Sequence, residues 1–115
     1  MMNAEEEFEA LKSMHPTASL HSEGGEPVVL LPNVEFRSAG TLVQMNLLLL
    51  PFSHSGYITR LFFEQKILGT TRNWQDSNWT EHTVLSRKWW APSWNHVIED
   101  QSWTSMLWAH LRAVA

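Results

Sequence analysis

The chain has 115 residues, enough for one domain and one core, and its 43% hydrophobic and 17% charged residues exclude an intrinsically disordered segment. It contains no cysteine, which rules out disulfide scaffolds, thiolate zinc sites, iron–sulfur clusters and thiol nucleophiles. The net charge of −4 is unevenly divided: residues 1–35 carry seven acids and one lysine, whereas residues 36–115 carry seven Lys/Arg and five acids.

The first predicted element is a helix over Ala4–Met14. Phe8, Leu11 and then Met14 or His15 share one face, Glu5, Glu6 and Glu7 sit at the positive end of the dipole, Asn3 caps the start and Pro16 stops it. Gly24-Gly25 marks a turn. Pro27–Phe36 reads as a strand that Pro32 makes irregular or places at an edge, and the Ser38–Gly40 turn leads back into a second strand, Thr41–Leu50. Leu47–Leu50 is continuously apolar rather than alternating, which implies cover on both faces. Pro51–Gly56 reads as a loop and Tyr57–Lys66 as a third strand. From Gly69 to about Asn95 no period is evident; this stretch holds five of the seven tryptophans and is expected to be a long loop pinned by its own indoles. The closing helix is expected over Val97–Val114, with Trp103, Met106 or Leu107, His110 or Leu111, and Val114 facing the core.

This order gives an α+β domain spanning residues 1–115: N-terminal helix, antiparallel β-meander, long irregular Trp-rich segment, C-terminal helix. Particular residues sharpen it. Glu5-Glu-Glu-Phe-Glu-Ala-Leu-Lys-Ser-Met-His-Pro16 is similar to the acidic opening helix of RWD domains. Leu47-Leu-Leu-Leu-Pro-Phe-Ser-His-Ser-Gly-Tyr57 resembles the strand–Pro–Tyr corner of the ubiquitin-conjugating (UBC) and RWD superfamily, and Trp90-Ala-Pro92 resembles the Trp-x-Pro after the active-site segment of conjugating enzymes. With Trp79–His82, the pattern looks closest to divergent bacterial members encoded beside ubiquitin-like proteins. The resemblance implies that a catalytic cysteine should stand about eight residues before Trp90, where this chain has His82, and that Asn73 lies near the place of the oxyanion-supporting asparagine. Without a thiol no thioester forms, so the resemblance implies a non-catalytic or atypical member, or one whose cysteine was replaced.

The candidate site residues are therefore His82 and Asn73, near the family's active-site positions, and Trp74, Trp79, His82, Trp89 and Trp90 as binding residues. Trp89 and Trp90 point to opposite sides of an extended backbone, so one of them is expected to be a contact residue. His82, His96 and His110 recur at intervals of fourteen, which is not a ligand spacing on a helix, and His54 between Ser53 and Ser55 has no acid near it in sequence; neither metal nor cofactor is expected. The basic residues are scattered and the longest strongly apolar run, Leu47–Phe52, is far below the ~20 residues of a membrane span, so neither nucleic acid nor membrane is an expected partner and a cytoplasmic setting is. The expected function is a binding subunit, a pseudoenzyme in a bacterial ubiquitin-like conjugation pathway whose partners are a ubiquitin-like protein, its activating enzyme or another pathway protein. The alternative is a small-ligand or glycan-binding module built on exposed indoles.

Overall fold

In the computed structural model, which describes residues 3–38, 40–52, 59–67, 79–92 and 102–113, the first helix forms where its signals lie. Helix α1 (Ala4–Met14) opens with a capping box: the Asn3 side chain accepts from the Glu6 N–H at 2.9 Å and the Glu6 carboxylate accepts from the Asn3 N–H. Phe8 and Leu11 are its buried residues, and the His15 N–H closes on the Leu11 carbonyl before Pro16 ends the helix.

The chain then builds strands β1 (Ser19–Glu23), β2 (Glu26–Ser38), β3 (Thr41–Leu50), β4 (Arg60–Phe63), β5 (Trp79–Val84) and β6 (Arg87–Pro92) before helix α2 (Trp103–Ala113). They form one sheet in the order β1-β2-β3-β4-β6-β5, each pair antiparallel. Strand β3 occupies its expected residues, and Leu47–Leu50 are buried on both faces, as the continuous apolar run implies. Pro32 sits at a bulge where the β2–β3 register shifts between Leu31 and Val34 and where Asn33 has φ 53. Strand β1 ends opposite Leu30, so Pro32 faces no β1 partner and its missing N–H costs no ladder bond.

The UBC/RWD-like α+β architecture is overturned. What forms is an open six-stranded antiparallel sheet with two short helices, not a meander closed by an irregular loop. Strand β1 lies in a polar stretch that carries no strand signal. The Trp-rich segment contains the β5–β6 hairpin, whose turn, Leu85-Ser86, holds both residues at positive φ without the Gly or Asn that announces such a turn. The third strand is shorter than expected, and residues 53–58 of it and its approach lie outside the described residues, as do residues 68–78 and 93–101 of the irregular segment and helix start.

Both helices cover one face of the sheet. Phe8 and Leu11 of α1 and Trp103, Met106, Leu107 and Leu111 of α2 pack there with Val29, Leu31, Leu47, Leu49, Leu61 and Phe63. The other face buries Val28, Leu48, Leu50, Phe62, Val84, Trp89 and Ala91 in a second core. A single residue pair, Phe63 and Trp90, joins β4 to β6. The β5–β6 hairpin adds to the sheet through this short ladder, and its Val84 and Trp89 lie in one cluster with Val28 and Leu50. Each such burial contributes roughly 1.5–3 kcal/mol, which holds the hairpin where hydrogen bonding to β4 alone would not.

Candidate functional site

Arg60 is the charged residue within the apolar run of β4, and only 3% of it is exposed. Its guanidinium reaches across to β5 and β6, donating to the Pro92 carbonyl at 3.3 Å, to Thr80 Oγ1 at 3.4 Å and to His82 Nε2 at 3.4 Å. Thr80 Oγ1 lies 2.8 Å from the same Nε2. A guanidinium only donates, so Nε2 accepts from Arg60, while the Thr80 hydroxyl has one proton for two neighbours, this nitrogen and the Ala91 carbonyl 3.3 Å away. The imidazole ring stacks on Phe62, with centroids 5.0 Å apart and planes 11° apart. His82, half-buried, thus has its basic nitrogen engaged in the network that ties the hairpin to β4 rather than turned toward a reactant.

On the helix side of β4, Thr59 donates its hydroxyl proton to the Leu50 carbonyl at 2.6 Å and its oxygen faces His110 Nε2 at 3.4 Å. Burial, helped by the Arg60 charge, lowers the His110 pKa to about 3. His96, the middle member of the expected histidine series, lies outside the described residues, and among those described no group of three His, Cys, Asp or Glu could hold a metal ion.

The tryptophans divide differently from the expectation. Trp79 is 6% and Trp89 1% exposed; both indoles fill core. Trp89 Nε1 donates to the Val84 carbonyl at 3.0 Å and Arg87 lies over its ring at 5.2 Å. Trp89 and Trp90 do face opposite sides of β6, yet each side is covered, by the second core and by the helix-side core respectively. Half-buried Trp90 carries the Lys66 ammonium 4.6 Å from its ring centroid. A sugar-stacking platform from Trp79, Trp89 and Trp90 is therefore not assembled. Trp74 and Asn73 lie outside the described residues.

Two surface features went unread in the sequence. The first is the outer edge of β5. A two-residue turn is closed by a hydrogen-bonded pair, here Val84 and Arg87, so Val84, His82 and Thr80 turn their backbone groups toward β6, while Trp79, Glu81 and Thr83 turn theirs outward. Among the described residues no strand pairs with that side. The second is a cleft of about 150 Å³ where the β5–β6 hairpin tip meets the β1–β2 hairpin tip, with Val28, Leu50, Phe52 and Val84 as its apolar lining and Glu23, Glu26 and Thr83 as its polar one. Thr83 belongs to both features. The only signal for either was the Thr80-x-His82 alternation, which is strand period. No known family, curated protein or solved structure matches this chain.

Proposed function

We propose that the chain is a non-catalytic binding domain that takes an extended segment of a protein partner along the outer edge of β5. The outward backbone groups of Trp79, Glu81 and Thr83, which no strand among the described residues pairs, carry this reading, because a sheet edge that presents N–H and C=O groups pairs with a chain that presents a strand. The side chains that could do chemistry nearby are engaged structurally: His82 Nε2 accepts from Arg60, and the Thr80 hydroxyl lies between that nitrogen at 2.8 Å and the Ala91 carbonyl at 3.3 Å. The partner classes suggested by the sequence resemblance, a ubiquitin-like protein and its activating enzyme, are the first to assay.

The test is a backbone-amide NMR titration with those proteins and with extended Thr/Val octapeptides. Binding along the edge shifts the amides of Trp79, Glu81 and Thr83 and slows their hydrogen exchange. Binding that leaves these three amides untouched, or an absence of binding to every probe, overturns the proposal. Concentration-dependent protection of the same amides without any probe would assign the edge to a second copy of the chain and overturn it too.

A further inference from the structure

We infer that the cleft at the end of β5 is the specificity pocket for this edge and that it takes one cationic side chain, lysine or arginine, from the bound segment. The inference deepens the edge-binding reading and rests on it. The volume, about 150 Å³, is that of a benzene-sized guest, whereas cofactor and drug-sized ligands occupy ~300–1,000 Å³. One side chain fits. The apolar floor of Val28, Leu50 and Val84 suits an aliphatic stem, and Phe52 stands at the rim, 40% exposed.

The charge of the occupant follows from the turn. Gly24 and Gly25 both have positive φ, 59 and 83, and this two-residue connection sets Glu23 directly opposite Glu26. Like charges in facing positions of an antiparallel pair repel. Neither carboxylate has a cation beside it among the described residues. A lysine ammonium or arginine guanidinium whose stem lies on the floor ends at these two groups and converts the repulsion into attraction. An acidic occupant would add a third like charge, and an aliphatic one would leave the repulsion in place. Thr83 and Val84 line the cleft at the end of β5 and supply the register: the occupant is the residue of the paired strand opposite Val84, whose side chain falls on the same face as Val28 and Leu50.

Calorimetry with Thr/Val octapeptides carrying Lys, Arg, Leu or Glu at the central position, against the wild-type chain and the Glu23→Gln/Glu26→Gln double variant, tests the pocket. The Lys and Arg peptides bind the wild type about tenfold tighter than the Leu peptide, and the preference shrinks with added salt. In the double variant the Lys and Arg peptides fall to the affinity of the Leu peptide, which itself is unchanged. Equal binding of all four peptides to the wild type overturns the pocket while leaving edge binding standing, as does a cationic preference that survives both substitutions. If no octapeptide binds, edge binding itself fails. The pocket is then read alone with Nα-acetyl-lysine methylamide, which must shift the methyl resonances of Val28, Leu50 and Val84 in the wild type and not in the double variant; an unshifted spectrum overturns it.

Discussion

The β1–β2 and β5–β6 hairpins use the same device, a two-residue turn with both residues at positive φ, and reach it by opposite means. Gly24-Gly25 adopts it freely, whereas Leu85 and Ser86 hold φ 52 and 60 against the steric cost that L-residues meet there. The difference lies in what each hairpin packs against. Strand β1 is largely exposed and contributes little core, so its turn must form on local preference. The β5–β6 hairpin buries Trp79, Val84, Trp89 and Ala91 and is pinned to β4 by Arg60, and this packing imposes the turn. Local chemistry makes one hairpin; tertiary contact makes the other.

The comparison breaks first at Trp89. Trp89→Ala should cost about 3–5 kcal/mol in denaturant unfolding, because it empties the second core and removes the bond to the Val84 carbonyl. A loss below about 1 kcal/mol would mean that the hairpin is not held by packing.

Acid attacks the same region from the other side of β4. The folded-state pKa of His110 lies at about 3, below its ordinary value of 6.5, so the unfolded chain binds the proton first. The stability it contributes is therefore complete above about pH 6.5 and is lost as pH falls toward 3, at up to roughly 1.4 kcal/mol per pH unit. His110→Leu should flatten that slope in urea melts taken across the window, and an unchanged slope would sink the assignment.

The turns themselves give smaller, opposite effects. Ser86→Gly should stabilise by about 1 kcal/mol and Gly25→Ala destabilise by a similar amount, since each exchanges a residue at positive φ for one with the other preference. Thermal melts of the two variants shifting in the same direction would contradict the contrast between the hairpins. The smallest effect is expected at Trp79, whose Nε1 is buried with no hydrogen-bond partner among the described residues. Trp79→Phe keeps most of the ring in the core and removes a donor that no described residue satisfies, leaving stability within about 1 kcal/mol of wild type.

Helix α1, the Gly24-Gly25 turn and strand β3 were legible because their signals are local: a cap with its carboxylate three residues on, a residue pair suited to positive φ, an apolar run of strand length. Helix α2 was legible in pattern, with Trp103, Met106, Leu107, His110 and Leu111 on the buried side, but it starts at Trp103 rather than at Val97, where the Ser102 hydroxyl accepts from the Ser105 N–H. The β5–β6 hairpin was not, since Leu85-Ser86 has no turn chemistry and indoles satisfy a packed strand as readily as a binding loop. Arg60 offered a faint clue, a charge inside Ile58-Thr-Arg-Leu-Phe-Phe63, but not what it would hold. Glu23 and Glu26 could be paired on paper through the glycines, yet the cleft between them and Thr83 joins residues about sixty positions apart in the sequence of 115.

The sequence by itself determined that no thiol chemistry is possible, that the N-terminal third is acidic, and where the locally encoded helices, turn and central strand lie, because each of these depends on residue type or on neighbours within a few positions. Tertiary structure alone decided that Trp79 and Trp89 are core rather than contact residues, that His82 accepts from Arg60, and that an edge with no pairing strand among the described residues ends at an acid-rimmed cleft. These depend on a sheet whose β5–β6 hairpin joins β4 at the Phe63–Trp90 pair, and the burial that holds it there is gained between residues that no local pattern connects.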